Sequence, residues 1–460
     1  MATEEAEPTL PIRPAFGVIR LIDRLGERRL VIILLLIAAL MRFGAAFHYL
    51  HLKPQRVENQ MIAVALVQNQ GYADAFRPDS GPTAHSGPLA PLVMAGVYKI
   101  FGVETSLAEA VLTLLGIGSV ILTFYLLYRC FEQLGVARAP RLAALAFVCL
   151  VPIQLSLEST ELGIWEVGYG TAAMSAILLA VLRLDARRSV GLPALCALAG
   201  ATAVLEVFSP STGLAAAGLL GLLLVRRTRW PIWFLIGGLT LAFFIAITTP
   251  WKLRNEHVLG EPVRTRSSFG LSFAIGYYDG QLTNPSPRAA NVERLEELHP
   301  HYRPGPGYEK MKAAGGEVAY NRQLVAETRR WIASHPSDAL KIALRNLWNF
   351  YCPPAWFWDR WSDAQIRPVS IVRAILFDAL SLAGLATLAW LLLRRRWLFL
   401  YLGVAILLPA IPYVITFPLL RYRYPISSVL IFLAFAGAMM LAARRLSERQ
   451  PTGRAVETIA

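Results

Sequence analysis

Apolar residues in this chain gather in long, nearly unbroken runs, as at Leu30–Leu40, Ala110–Leu127, Leu214–Val225 and Leu398–Leu408. A run of about 20 such residues crosses a bilayer as a helix, because a helix satisfies its own backbone polar groups where no water can. Counting flanking residues, the pattern predicts about ten transmembrane helices, near 30–50, 106–130, 141–156, 165–184, 191–208, 212–226, 231–250, 370–393, 397–416 and 425–443. Arginines punctuate the runs at Arg24/Arg28/Arg29, Arg138/Arg141, Arg183/Arg187/Arg188, Arg226/Arg227/Arg229, Arg394–Arg396 and Arg444/Arg445. The links Ser156–Trp165 and Glu206–Ser211 hold no Lys or Arg. Positive charge stays on the cytoplasmic side, so these two links face outward and both termini face inward.

That threading sets one helical domain over 30–443 between cytoplasmic tails, 1–29 and 444–460. It leaves two long outer segments, about 51–105 and 251–369. Both carry helical periodicity. Tyr320, Leu324, Thr328 and Trp331 share one face. After His335-Pro336, Ser337 is placed to cap a helix whose stripe is Leu340, Leu344, Leu347 and Tyr351. With Arg329, Arg330, Lys341 and Arg345 beside them, these helices either lie at the membrane interface or pack on the bundle. The fold expected is all-α and polytopic, with juxtamembrane helices in the outer segments.

Composition agrees: 55% of residues are hydrophobic and 17% charged. The net charge of +14 sits mostly beside the apolar runs. It therefore reads as a topology signal next to anionic lipid, with no nucleic-acid partner. The four cysteines show neither metal spacing nor a disulfide framework. No small-residue cleavage site follows Leu40, so the first run is expected to be retained. There is no phosphate-binding loop, zinc signature or dinucleotide motif. The cytoplasmic loops are too short for a nucleotide-binding domain. Any driving energy must arrive with the substrate.

Chemistry-bearing residues collect at the outer ends. Glu58 opens a helix-like run just beyond the first span, where a carboxylate could act as a general base; the plain alternative is a solvated loop acid. Glu158, Glu161 and Glu166 cluster in one outward link, and Glu166 is also placed to favour a helix dipole. Arg254 lies in Pro250-Trp251-Lys252-Leu253-Arg254-Asn255, beyond the seventh helix. Arg421 and Arg423 lie in the turn Phe417–Ile426, on the side where short loops otherwise lack arginine. Outer arginines bind lipid phosphate through bidentate, charge-assisted bonds, or snorkel to headgroups. His85 is held in the turn-rich Gly81–Pro91, where a lone histidine is commonly structural.

In order and spacing these pieces resemble bacterial membrane glycosyltransferases of the GT-C superfamily, in glycosyltransferase family 39 with its aminoarabinose-transferase-like and protein-mannosyltransferase-like relatives. The likeness runs from about Val57 to Ala434. It includes Glu58 to Gly71-Tyr72, Gly81-Pro82-Thr83-Ala84, Pro88-Leu89-Ala90-Pro91 and Phe101-Gly102. It continues through Trp165-Glu166, Pro250-Trp251, Arg254-Asn255 and Gly260, then Arg266-Ser267, Phe269-Gly270 and Gly276. Glu317 with Tyr320, His335-Pro336, Arg421-Tyr422-Arg423 and Pro425-Ile426 complete it. The resemblance implies a GT-C fold in a bacterial inner membrane, with its site facing the periplasm or exterior. It implies a polyprenyl-phosphate sugar as donor, a glycan, lipid or protein as acceptor, and inversion at the anomeric carbon. Glu58 matches the catalytic base and Glu166 the second-loop acid. Arg254, Arg421 and Arg423 match positions facing the lipid phosphate. His85, Glu161, Glu317 and Tyr320 join the substrate-facing set. Relatives differ in metal requirement, so a divalent cation stays open and its ligands unassigned.

Two other activity classes compete. A lipid-linked-sugar flippase would carry ionisable groups inside its spans and an internal repeat, whereas here the groups gather at the outer lip. An O-antigen ligase or polymerase would place its large outer loop elsewhere, rich in paired Arg and His. A non-catalytic scaffold leaves the outer acids unexplained.

Overall fold

The computed structural model describes residues 26–49, 57–301, 305–359 and 365–449. Most of the two expected tails, the start of the first outer segment and Pro304 lie outside the described residues. Helices are numbered α1 to α19: Glu27–Tyr49, Glu58–Val67, Leu89–Phe101, Ser106–Gln133, Arg138–Leu150, Leu155–Thr160, Val167–Asp185, Leu192–Phe208, Pro210–Arg227, Trp230–Leu259, Phe269–Gly276, Gly280–Thr283, Pro287–Leu298, Gly307–Ala313, Glu317–Ser334, Pro336–Tyr351, Pro368–Leu393, Trp397–Ile415 and Leu420–Arg449. The element between Trp397 and Ile415 is broken by short 3₁₀ turns. No strand is present among the described residues. Ala73 and Pro82 form an isolated antiparallel bridge.

A helix stands at each of the ten expected spans, and seven are long and apolar enough to cross a membrane: α1, α4, α7, α10, α17, α18 and α19. The protein is an all-helical, multi-pass membrane protein. The 13-residue α5 and 17-residue α8 are too short to cross alone. At 1.5 Å per residue they reach only about 20 and 26 Å, against a hydrocarbon core of about 30 Å.

Two boundaries differ from expectation. The seventh helix was expected near 231–250, yet α10 runs on through Pro250 and stops at Gly260, a left-handed cap with φ +71°. In membrane helices the backbone freed by proline is re-satisfied by neighbours, so proline need not terminate them. Arg254 is therefore carried on a continuous helix. The cap expected at Ser337 is absent as well. Helix α16 starts at Pro336 behind His335, because proline's fixed φ suits the first helical position.

The spans share one large apolar core in which α4 packs on α7, α8 on α9 and α10, and α17 on α19. In the C-terminal half of α1, buried Arg42 pairs with Glu158 on α6 at 2.7 Å. Arg42 also donates to the Val148 and Cys149 carbonyls, and Glu158 accepts from Tyr424 at 3.1 Å. This strap joins α1, α5, α6 and α19, and a buried pair satisfied on both sides is costly to break from one side.

The segment expected to lie outside folds into helices α11 to α16, packed against one end of the bundle around Trp251, Phe417 and Leu419. Tyr320, Leu324 and Thr328 face inward from α15, as their spacing predicts. On α16, Ile342 and Phe350 are buried, whereas Leu340 is 61% exposed and Leu344, Leu347 and Trp348 also face outward. Such an exposed apolar stripe suits a helix lying in the interface. Tyr351, expected in that stripe, is buried and donates to the Ile406 carbonyl.

Candidate functional site

The site is built where three loops at one end of the bundle meet over α2. Helix α2 buries Ile62, Ala63, Val64 and Ala65, which fixes its roll and points Glu58 in its first turn inward. The neighbouring Asn59 donates to the Ile164 carbonyl at 3.0 Å and ties α2 to the link carrying Glu161 and Glu166. That link lies directly on α4: a Cβ at Gly163 would sit 2.6 Å from the Leu112 carbonyl oxygen, so only glycine allows the approach.

The first outer loop folds back on itself through the Ala73–Pro82 bridge. Asp74 Oδ1 accepts from the Gly81 amide at 2.8 Å. Three groups hold its far end. Glu317 accepts from Thr83 Oγ1 and the Ala84 amide, both at 2.6 Å, and from Ser267 at 2.9 Å. Arg254 donates to the carbonyls of Thr83 at 2.7 Å and Tyr72 at 2.5 Å. Tyr72 closes the turn onto the Ser86 carbonyl. His85 is thereby fixed, packed edge-on against Phe76 at 4.8 Å. On the third loop, the Tyr320 hydroxyl donates to the Leu298 carbonyl at 2.9 Å. This sets the end of α13 and the residue after it, His299. The first turn of α15 thus positions both histidine loops.

His299 Nε2 lies 3.3 Å from Glu58 Oε1. The rings of His85 and His299 stand edge to face at 5.6 Å. One ligand atom each from Glu58, His85 and His299 falls within 4.8 Å of the others, and all three residues are buried. His85 Nδ1 is buried with no hydrogen-bond partner. Burial, reinforced by neighbouring histidines, pushes both His85 and His299 down to about 3, so both rings are neutral at physiological pH and able to act as ligands. One carboxylate oxygen and two imidazole nitrogens suit zinc or a similar divalent ion.

The guanidinium groups stand alongside. Arg421, at the start of α19, lies over the Trp165 ring at 4.4 Å, and Glu161 is 3.7 Å away. Its charge couples to that of Glu58. Arg266 pairs with Glu166 at 2.9 Å and reaches toward Gly87, two residues from His85. Glu166 occupies the cap position of α7 but makes no capping bond; its carboxylate is turned to Arg266 instead.

The expected residues thus fall into groups. Glu58, His85, Glu161 and Arg421 come together. Glu166 joins them through Arg266, whose charge His85 feels. Arg254, Glu317 and Tyr320 are spent on backbone or loop contacts that shape the site. Arg423 points elsewhere, because residues two apart on a helix diverge by about 200°. It is 1% exposed, donates to the Tyr351 carbonyl and Ser381, and lies over Phe377 at 3.7 Å. Sequence reading did not single out His299 as a site residue, nor assign Arg266 a role. The pair His299-Pro300-His301, two of only seven histidines in the chain, was the available signal.

A pH consequence follows. Below the ordinary histidine pKa of about 6.5 the unfolded chain binds protons that buried His85 and His299 refuse, so stability falls as pH drops from about 6.5 toward 3, by up to about 1.4 kcal/mol per pH unit per histidine. Burial raises the Glu317 carboxyl and works in the opposite sense. The difference between the protein and a His85→Gln/His299→Gln double variant isolates the histidines. Thermal midpoints from pH 7 to 4 should fall more steeply for the unaltered protein. Parallel curves would contradict the burial of neutral rings.

No family model matches the chain, and no curated protein matches it. Among solved structures it is similar to the archaeal oligosaccharyltransferase AglB from Archaeoglobus fulgidus, in complex with an inhibitory peptide and a dolichol-phosphate. The identity is 16% and the TM-score 0.48, over 94% of this chain. The chain spans 52% of that protein's length.

Proposed function

We propose that the protein is a GT-C-type glycosyltransferase of a bacterial inner membrane, moving a sugar from a polyprenyl-phosphate carrier to an acceptor on the extracytoplasmic face. One observation carries this reading: a buried carboxylate, Glu58, has one oxygen held by His299 and lies within the field of the guanidinium of Arg421. A base and an anion-stabilising cation in one recess are what displacement of a lipid phosphate needs.

In the step proposed, Glu58 Oε2 takes the proton of the acceptor hydroxyl or amine. The freed lone pair forms the new bond to the anomeric carbon. The bond from that carbon to the phosphate oxygen breaks, and the lipid phosphate leaves with the electron pair. Arg421, with Arg266 behind it, takes up the developing charge. One direct displacement inverts the anomeric configuration. The isoprenoid chain has room in an apolar groove of about 550 Å³ between α9 and α10, walled by Gly221, Gly237 and Phe244. Glu206 lies on this groove, and the next residue's carbonyl borders Gly87 beside Arg266.

Glu58, His85 and His299 would hold a divalent cation. When bound, it would supply Lewis-acid neutralisation beside the leaving phosphate. The chain's own residues keep their parts: Oε1 of Glu58 faces His299, leaving Oε2 toward the acceptor.

The test is incubation of purified protein with a panel of polyprenyl-phosphate hexoses and pentoses, read by mass spectrometry of the acceptors and NMR of the product linkage. One donor should be consumed with inversion. A chelator should slow transfer, and metal analysis should find stoichiometric cation that His85→Ala loses. Retention of configuration would eliminate direct displacement, and consumption of no lipid-phosphate sugar would eliminate the donor class.

A further inference from the structure

The arginines around the Glu58 site are held in different ways. Arg266 is fixed by its ion pair with Glu166 at 2.9 Å, and Arg254 by bonds to the Thr83 and Tyr72 carbonyls. Arg421 has no such hold. The carboxylate beside it, Glu161, stands 3.7 Å away, and its terminal nitrogen reaches the Tyr422 hydroxyl only at 3.5 Å. Its Nε is buried with no hydrogen-bond partner among the described residues.

Two rings hold it instead. The guanidinium carbon lies 4.4 Å from the centre of the Trp165 ring and 5.1 Å from that of Tyr422. An arginine loses much rotamer freedom when it is fixed, so something must offset that cost. A close ion pair would do so, but it occupies the same N–H groups that a phosphate uses. Contact with an aromatic ring attracts the cation through the ring quadrupole and spends none of those donors. Such a hold suits a cation whose oxyanion comes and goes.

Both rings are anchored. The Tyr422 ring lies nearly parallel to that of Tyr413, with centroids 4.4 Å apart at 7°. Tyr413 in turn stacks on Phe350 at 5.8 Å and 14°, and its hydroxyl bonds to Ser211 Oγ at 3.1 Å. The column therefore joins α19, α18, α16 and α9. Trp165 follows Ile164, whose carbonyl accepts from Asn59, the neighbour of Glu58 on α2. The frame that places the carboxylate thus also places one ring beside the cation.

We propose that Trp165 and Tyr422 are positioning residues, which clamp the Arg421 guanidinium through their rings and leave its N–H groups to a phosphate oxygen of the lipid carrier. This rests on the transferase reading above, in which Arg421 meets the leaving phosphate, but its test needs no turnover. Full-length protein in nanodiscs is titrated with farnesyl phosphate and binding is followed by calorimetry. Arg421→Ala should weaken binding about tenfold or more, the worth of a charge-assisted contact. Tyr422→Leu, which removes the ring, should weaken it about five- to tenfold, whereas Tyr422→Phe, which drops only the hydroxyl, should stay within about twofold. The double variant Arg421→Ala/Tyr422→Leu should bind no more than about twofold worse than Arg421→Ala alone, because the ring acts through the guanidinium. A ring with a merely structural role would add its full loss again. Trp165→Leu repeats the cycle from the other ring and decides the matter if Tyr422→Leu lowers the thermal midpoint sharply. Additive losses in both cycles, equal defects in Tyr422→Phe and Tyr422→Leu, insensitivity to both ring removals, or no binding of farnesyl phosphate by the unaltered protein overturns the proposal. If no polyprenyl-phosphate sugar is transferred but the cycles are non-additive, the transferase reading falls and the clamp stands. Transfer with additive cycles removes the clamp alone.

Discussion

Glu58→Gln is expected to lower kcat for sugar transfer by about 100- to 10,000-fold, the range a positioned general base supplies. Glutamine keeps the length and shape of the side chain. Its carbonyl oxygen can still face His299 Nε2, which lies 3.3 Å from Glu58 Oε1. The fold and the α2–link contact through Asn59 do not depend on the charge, so thermal stability and donor affinity should change little. What disappears is the oxygen able to take a proton. The measurement is kcat at saturating donor and acceptor, with donor binding by calorimetry and cation content by mass spectrometry on the same preparation. A full loss of kcat with the cation retained assigns the base. A loss accompanied by loss of the cation assigns the carboxylate to metal binding instead. Unimpaired turnover removes Glu58 from the chemistry altogether.

The sequence made some of this arrangement legible and concealed the rest for identifiable reasons. Spans are legible because lipid enforces them: a helix that must satisfy its own backbone shows as a long apolar run. Each of the ten expected segments carries a helix, including the two too short to qualify by length. Glu58 and His85 were legible as polar exceptions in outer loops. His299 was not, because its place depends on contacts with residues distant in the chain. The Tyr320–Leu298 bond and the Glu58 pairing span 22 and 241 positions, and no local pattern encodes either. The seventh helix outran its expected end at 250 because its last two turns, 251–259, are largely polar and leave the apolar run that marks a span. Arg254 is expected to face a lipid phosphate because it is an arginine beside an apolar span. The fold also offered it the carbonyls of a loop some 170 residues away.

The two arginines are expected to separate cleanly when each is removed. Arg421→Ala should lower kcat/KM for the donor by about 100- to 1,000-fold, as loss of one preorganised charge-stabilising group does. Its stability cost should be small, because its contact with Glu161 is loose at 3.7 Å and the Glu161 side chain is 43% exposed. Arg254→Ala should do the reverse. It strips donors from the Thr83 and Tyr72 carbonyls in one step and removes the cation stacked 5.2 Å from Trp251. The Tyr72 carbonyl keeps the Thr83 amide at 3.2 Å, but the Thr83 carbonyl loses its donor at a cost of about 1–3 kcal/mol, so the thermal midpoint should drop. Any kinetic defect should then reach donor and acceptor alike, through a first loop that no longer holds His85 in place. Arg421→Lys sharpens the comparison. It keeps the charge but loses the planar fork, so it should recover part of the donor defect if the group meets a phosphate in bidentate fashion. Full recovery would reduce Arg421 to a point charge. A selective donor defect in Arg254→Ala, with normal stability, would move the phosphate site to the end of α10.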